Sequence, residues 1–278
     1  MEAPAARIRR HPEPDEARRP FWAAGALVVL AAIGATSLYR RMQGGSGGTV
    51  RRVDELRELA GTQVIGVVPT FGARSRTARP RPDAAATDAY RALRLALRPA
   101  RVVVITSARS GDGKTTSAAN LARIMAAAGD RVLLIDAETR RGDQHAVFGV
   151  AAEPGFFDLL FGQAAASDCI RHLGGDAPFD LLPSGGASQA NAESLLLAGG
   201  LAAFLDGLRP SYDVILIDSP PLESFADAAR LGAHADAVVF VARAGRTPRR
   251  AIVAAVRQLR DAHANLVGAV LNDAARHG

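Results

Sequence analysis

The chain has 278 residues, a formal net charge of +6 and one cysteine, Cys169. A single cysteine excludes an internal disulfide framework, and six histidines set far apart, none paired with a cysteine at zinc-ligand spacing, exclude a metal cage built from side chains alone. The basic balance invites a nucleic-acid reading, but arginine is spread along the chain and clusters densely only beside an apolar segment or in a linker, so no nucleic-acid partner is expected.

Residues 1–20 are polar and rich in proline and charge, the composition of a disordered tail. Phe21 to Tyr39 follows as 19 residues without a charge. At about 1.5 Å per residue such a helix just crosses a hydrocarbon core of roughly 30 Å. Phe21, Trp22 and Tyr39 stand at its ends, where aromatics favour the interface, and Arg18, Arg19, Arg40 and Arg41 bracket it. A buried helix rarely carries arginine pairs at both ends, and a signal peptide would export the nucleotide site read below. The expectation is one span in the inner (plasma) membrane. Arginine counts on its two sides do not orient it, but ATP is cytosolic, so the C-terminal side is expected in the cytosol.

Residues 40–84 read as a juxtamembrane segment and linker: a flexible GGSGG at 44–48, a short amphipathic helix and a strand ending at Pro69, and a proline- and arginine-rich stretch at 72–84. The globular domain is expected over 85–278. Within it Val102–Thr106, Val132–Ile135, Phe179–Leu182, Val214–Ile217, Ala237–Val241 and Leu266–Leu271 are apolar strands. Thr115–Ala128, Ala192–Leu208 and Thr247–Ala262 are helices, the last with Thr247 as N-cap and Pro248 in its first turn. Continuous apolar strands separated by helices imply an α/β fold, a mostly parallel sheet covered on both faces. Ligands in such folds sit at the carboxyl ends of the strands.

Between the first of these strands and its helix lies Ala108-Arg109-Ser110-Gly111-Asp112-Gly113-Lys114-Thr115-Thr116. It fits the phosphate-loop pattern of a P-loop NTPase. Gly111 and Gly113 allow a turn that side chains would block, the turn aims backbone N–H groups inward as an anion nest, and the helix adds its free N–H groups and positive dipole end. Lys114 is suited to the β- and γ-phosphates of ATP and Thr115 to Mg²⁺. Lys114 is also the single lysine among 34 strongly basic residues. Two later strands end in acids: VLLIDAE places Asp136 and Glu138, and VILID places Asp218, at the top of the sheet. Mg²⁺ takes oxygen ligands and keeps several waters, which suits Asp218 as its carboxylate and Asp136 as a second ligand or as the base that polarises the attacking group. The plainer alternative is that these acids cap strands or pair with Arg140 and Arg141.

The run VITSARSGDGKTTSAANLARIMAAAGDRVLLIDAETRRG followed by YDVILIDSPP resembles the bacterial tyrosine kinases of capsule and exopolysaccharide synthesis, over about residues 50–273. The resemblance implies catalytic roles for Lys114, Asp136, Glu138 and Asp218. It also implies a membrane chain-length determinant or polysaccharide export protein as partner, and a homo-oligomeric ring built through a Glu-x2-Arg-x2-Arg helix, here Asp88, Arg91 and Arg94. Phe21–Tyr39 resembles the second span of the chain-length protein. Asn272 matches the asparagine that reads the adenine edge in related ATPases. Glu138 stands where the family usually has aspartate, and the chain's tyrosines, Tyr39, Tyr90 and Tyr212, form no terminal cluster. The reading is therefore a membrane-tethered kinase. A nucleotide-driven assembly switch without tyrosine transfer is the main alternative, and a partitioning-type ATPase a weaker one.

Overall fold

The apolar runs pair side by side as parallel strands because each offers both faces for burial. The computed structural model describes residues 48–70, 82–138, 142–186, 200–223 and 227–275. The described residues from Gly48 on form one compact unit. Its sheet has eight strands: β1 (Val64–Pro69), β2 (Val102–Ser107), β3 (Val132–Asp136), β4 (Arg171–Leu173), β5 (Phe179–Leu182), β6 (Val214–Asp218), β7 (Ala237–Arg243) and β8 (Leu266–Ala274). They lie in the order β1-β8-β7-β2-β6-β3-β5-β4. Every pairing is parallel except the edge pair β4–β5.

Nine helices are described: α1 (Val53–Ala60), α2 (Ala84–Ala96), α3 (Lys114–Ala127), α4 (Gln144–Phe148), α5 (Phe156–Leu160), α6 (Ala166–Cys169), α7 (Gly200–Leu208), α8 (Asp227–Ala233) and α9 (Arg249–Asp261). Alternation along the strands divides the core in two. Val103, Ile105, Leu134 and Leu216 pack with Tyr90 and Leu93 of α2 and Leu121 and Met125 of α3. Val102, Val104, Ile135 and Phe240 pack with Leu56 of α1, Leu205 of α7 and Ile252 and Leu259 of α9 on the other face. Each fully buried Leu, Ile or Val contributes about 1.5–3 kcal/mol relative to exposure, which makes the strand runs the main source of stability.

Two expectations change. Residues 49–69, read as a segment ahead of the globular domain, are part of it. Strand β1 pairs with β8, α1 buries Leu56 and Ala60, and Val50 is tied to the β7–α9 loop through Val50 N to Thr247 O (3.0 Å) and Gly245 N to Val50 O (2.7 Å). Thr247 is not the N-cap of α9; that position is Pro248, which offers no side-chain cap. The expected tail and the expected span 21–39 lie outside the described residues, as do residues 192–199 of an expected helix. Among the described residues no helix is long and apolar enough to cross a membrane.

Candidate nucleotide site

Strand register assembles the site. The β3–β6 pairing sets Asp136 opposite Asp218, and the β2–β6 pairing sets Asp218 beside Ile105, two residues before the end of β2. Both carboxylates are therefore carried to the carboxyl edge of the sheet, where β2 gives way to the phosphate loop. Each follows a run of buried apolar residues, and both are fully buried.

The loop is held from beneath. Gly113 has φ 103°, the left-handed region, and caps α3; a Cβ there would lie 1.9 Å from Nδ2 of Asn272, so the position admits only glycine. Asn272, at the end of β8, donates from Nδ2 to the Asp112 carbonyl (3.0 Å). The Asp112 carboxylate turns inward, accepting from Arg109 N (2.9 Å) and from the Thr247 hydroxyl (2.7 Å); burial raises its pKa against these bonds. Thr247 in turn accepts from Arg243 N (2.7 Å), and Arg243 donates to the Gly111 carbonyl (3.2 Å) while paired with Asp273. Arg109 and Ser110 are exposed at the rim, with Arg109 Nε 2.6 Å from Glu223 Oε2. The first bond of α3 runs from Ser117 N to Gly113 O (2.9 Å). The N–H groups of Lys114, Thr115 and Thr116 thus have no helical partner, the arrangement that binds anions at a helix start.

Lys114 is buried at the centre. Its Nζ lies 3.0 Å from Glu138 Oε2 and 4.0 Å from Asp218 Oδ1. Burial works against its charge, but Asp218, Glu138 and Asp136 outweigh it and hold the ammonium above its ordinary pKa. Burial, then the Asp218 carboxylate, pushes Asp136 up to about 8, even though its oxygens accept from Gln144 N (3.0 Å) and Glu138 N (3.2 Å). Burial also raises Asp218, opposed by Lys114, Thr115 and Gln144.

Gln144 and Gly142 escaped the sequence reading, and Thr247 reads there as a helix cap and not as a support of the loop. Gln144 is wholly buried and donates from Nε2 to Asp218 Oδ2 and to the Thr115 carbonyl, both at 3.0 Å. Gly142 lets the chain pass the site: a Cβ there would meet Ser184 Oγ at 2.1 Å and Asp136 Oδ2 at 2.9 Å. Neither of these two carries a recognisable spacing. Arg140 and Arg141 lie outside the described residues. The Asp88–Arg91–Arg94 row lies apart from the site on α2. Asp88 and Arg91 pair at 3.0 Å on the exposed face, whereas Arg94 makes a two-pronged, half-buried pair with Asp130 after α3, at 2.7 and 2.9 Å.

The residues fit a hydrated Mg²⁺. Thr115 offers a hydroxyl, Asp218 a carboxylate and Gln144 an amide oxygen, ligand types of a hard cation and its waters, and Asp218 Oδ1 and Gln144 Oε1 are buried with no hydrogen-bond partner.

The AAA domain family matches residues 100–263. A putative tyrosine-protein kinase, EpsB of Ralstonia nicotianae, is 32% identical over 269 residues, covering 90% of this chain and 35% of its own length. Tyrosine-protein kinase YwqD of Bacillus subtilis is 32% identical over 205 residues, covering 72% of this chain and 86% of its own. The solved kinase domain of Escherichia coli tyrosine kinase ETK superposes with a TM-score of 0.72 at 27% identity, over 82% of this chain and 96% of that one. The chain spans about a third or less of the length of the EpsB- and ETK-type relatives.

Proposed function

The chain belongs to the bacterial tyrosine-protein kinases, and from that premise we propose that it binds ATP with Mg²⁺ at residues 108–116 and transfers the γ-phosphoryl group. The observation that carries this reading is the buried Lys114 ammonium, set among Glu138, Asp218 and Asp136 at the start of a helix whose first N–H groups have no helical partner. On ATP binding Lys114 leaves Glu138 for the β- and γ-phosphates, which offer more charge than one carboxylate. The N–H groups of the first turn of α3 would hold the phosphate oxygens, and Thr115 and Asp218 would hold Mg²⁺, which would supply neutralisation of the charge building on the phosphates. Asp136, set opposite Asp218 at the end of β3, accepts the proton of the attacking hydroxyl. Glu138, once freed from Lys114, helps orient the same group. Asn272 supports the loop through the Asp112 carbonyl, and we assign it the reading of the adenine edge.

We place this domain on the cytosolic face of the inner membrane, tethered by Phe21–Tyr39 and working with polysaccharide chain-length and export proteins. Subunits meet through Asp88, Arg91 and Arg94 of α2. A second reading, an assembly switch driven by ATP without tyrosine transfer, is favoured by the tyrosines among the described residues: Tyr90 is fully buried and the Tyr212 hydroxyl donates to Asp180 (2.7 Å). Phosphotyrosine mass spectrometry on cells carrying the wild-type or the Lys114→Met chain separates them. Lysine-dependent phosphotyrosine is expected. Its absence, with ATP still consumed, leaves the switch.

A further inference from the structure

Gln144 is a polar side chain with no exposed surface, which is costly unless its hydrogen-bonding groups are used. Its two donors are used, on Asp218 Oδ2 and the Thr115 carbonyl. Its acceptor Oε1 is buried without a hydrogen-bond partner, and so is Asp218 Oδ1, which Lys114 Nζ approaches only to 4.0 Å. Turning the amide over does not repair this. It would set Oε1 against two acceptors, the Asp218 carboxylate and a carbonyl, and lose both bonds. The orientation is fixed by its neighbours, and the surplus acceptor is a consequence of it. Nε2 is bonded both to the other oxygen of Asp218 and to the Thr115 carbonyl, so the two acceptors belong to side chains joined at one nitrogen beside Thr115.

Gln144 also ties the site together. Its backbone N–H holds Asp136, its side chain holds Asp218, and the same side chain reaches the first turn of α3. A ligand that satisfies these oxygens must supply hydrogen-bond donors beside a hydroxyl and a carboxylate. The waters of a hydrated divalent cation do so, and Mg²⁺ gives up its waters reluctantly.

We propose that Gln144 is a positioning residue of the metal site: its Oε1 accepts a hydrogen bond from a Mg²⁺-bound water while its Nε2 fixes Asp218 and the Thr115 turn. This rests on the nucleotide reading above and deepens it. Gln144 then acts on the metal and not on the phosphates. Its loss separates two affinities that a merely structural residue would lower together.

The test is the affinity of fluorescent ADP for the purified chain in EDTA and across a Mg²⁺ titration, for wild type and Gln144→Met, which keeps the side-chain length without donor or acceptor. Wild type is expected to bind more tightly as Mg²⁺ rises. Gln144→Met is expected to need at least tenfold more Mg²⁺ than wild type for the same tightening relative to its own affinity in EDTA. Equal Mg²⁺ dependence in the two chains overturns the proposal while leaving the nucleotide site standing. Absence of any Mg²⁺ effect on wild type overturns the reading it rests on. If Gln144→Met binds nothing in EDTA, Gln144→Glu decides. It restores an acceptor oxygen, so a surviving Mg²⁺ effect supports the proposal, and nucleotide binding that no longer responds to Mg²⁺ overturns it.

Discussion

Lys114 shows how a single side chain can be required by shape. The chain uses arginine for every other strong base, yet this position keeps an ammonium with its side chain 8% exposed, between Glu138 at 10% and Asp218 at 1%. A guanidinium is planar and broad, whereas an ammonium is a compact point charge on a thin stem. Lys114→Arg is therefore expected to lower ATP affinity or turnover at least tenfold although the charge is kept, as measured by nucleotide binding and phosphate release; wild-type values would refute the steric argument. Lys114, Asp136 and Asp218 were legible in the sequence because each sits at a fixed step from a buried strand. Gln144 was not, since a glutamine after a Gly-Asp turn looks like any surface amide until folding brings it onto Asp218, 74 positions away. Thr247 misled for a related reason. Thr-Pro ahead of a helix reads as a cap, but its hydroxyl is claimed by Asp112, 135 positions away.

The same threonine is where elements meet. The segment Gly48–Val50 is bonded to the β7–α9 loop, and that loop holds the phosphate loop through Thr247 and Arg243. Thr247→Val removes the hydroxyl from a buried carboxylate without a large change of volume. A cost of about 1–3 kcal/mol in stability is expected, together with faster hydrogen exchange at the amides of residues 109–113. Exchange there at the wild-type rate would show that the loop does not depend on this support. On α2, Arg94 is committed to Asp130, so its removal also loosens the α2–α3 contact, and only Arg91→Ala tests the subunit face cleanly. Most elements were readable from apolar runs and their stops. The short edge strand β4 and the one-turn helices α4, α5 and α6 were not, because they carry too few residues for a period to register.

At the scale of the whole molecule, strand order could not be read from the sequence: β1 comes first in the chain but lies at the sheet edge against β8, a pairing set by tertiary burial of α1 and β1. That nonlocal pairing moves the start of the compact unit from the expected residue 85 to Gly48. The edge of the sheet opposite the nucleotide site is fastened by charge. Asp236 accepts from Arg101 N and Val102 N at the start of β2 and from both prongs of Arg209, and the Arg209 bonds first of all lower its pKa from 3.8 to about 2. A carboxylate lowered in the folded state adds stability that is complete above its unfolded pKa and is lost as pH falls through its folded one. Acid unfolding is thus expected to draw on Asp236 between pH 3.8 and about 2. In Asp236→Asn the stability curve should be flatter across that window and lower at neutral pH. A curve parallel to wild type would assign acid sensitivity elsewhere.

The central claim is that the loop at 108–116 and the acids ending β3 and β6 form one Mg²⁺-dependent phosphoryl-transfer site. Incubation of the purified chain with γ-labelled ATP tests it most directly. Wild type is expected to place label on tyrosine or release it as phosphate, an activity abolished by EDTA and by Lys114→Met and reduced at least a hundredfold by Asp136→Asn. Label that moves equally well in Lys114→Met, or that never leaves ATP in wild type with Mg²⁺ present, would contradict it.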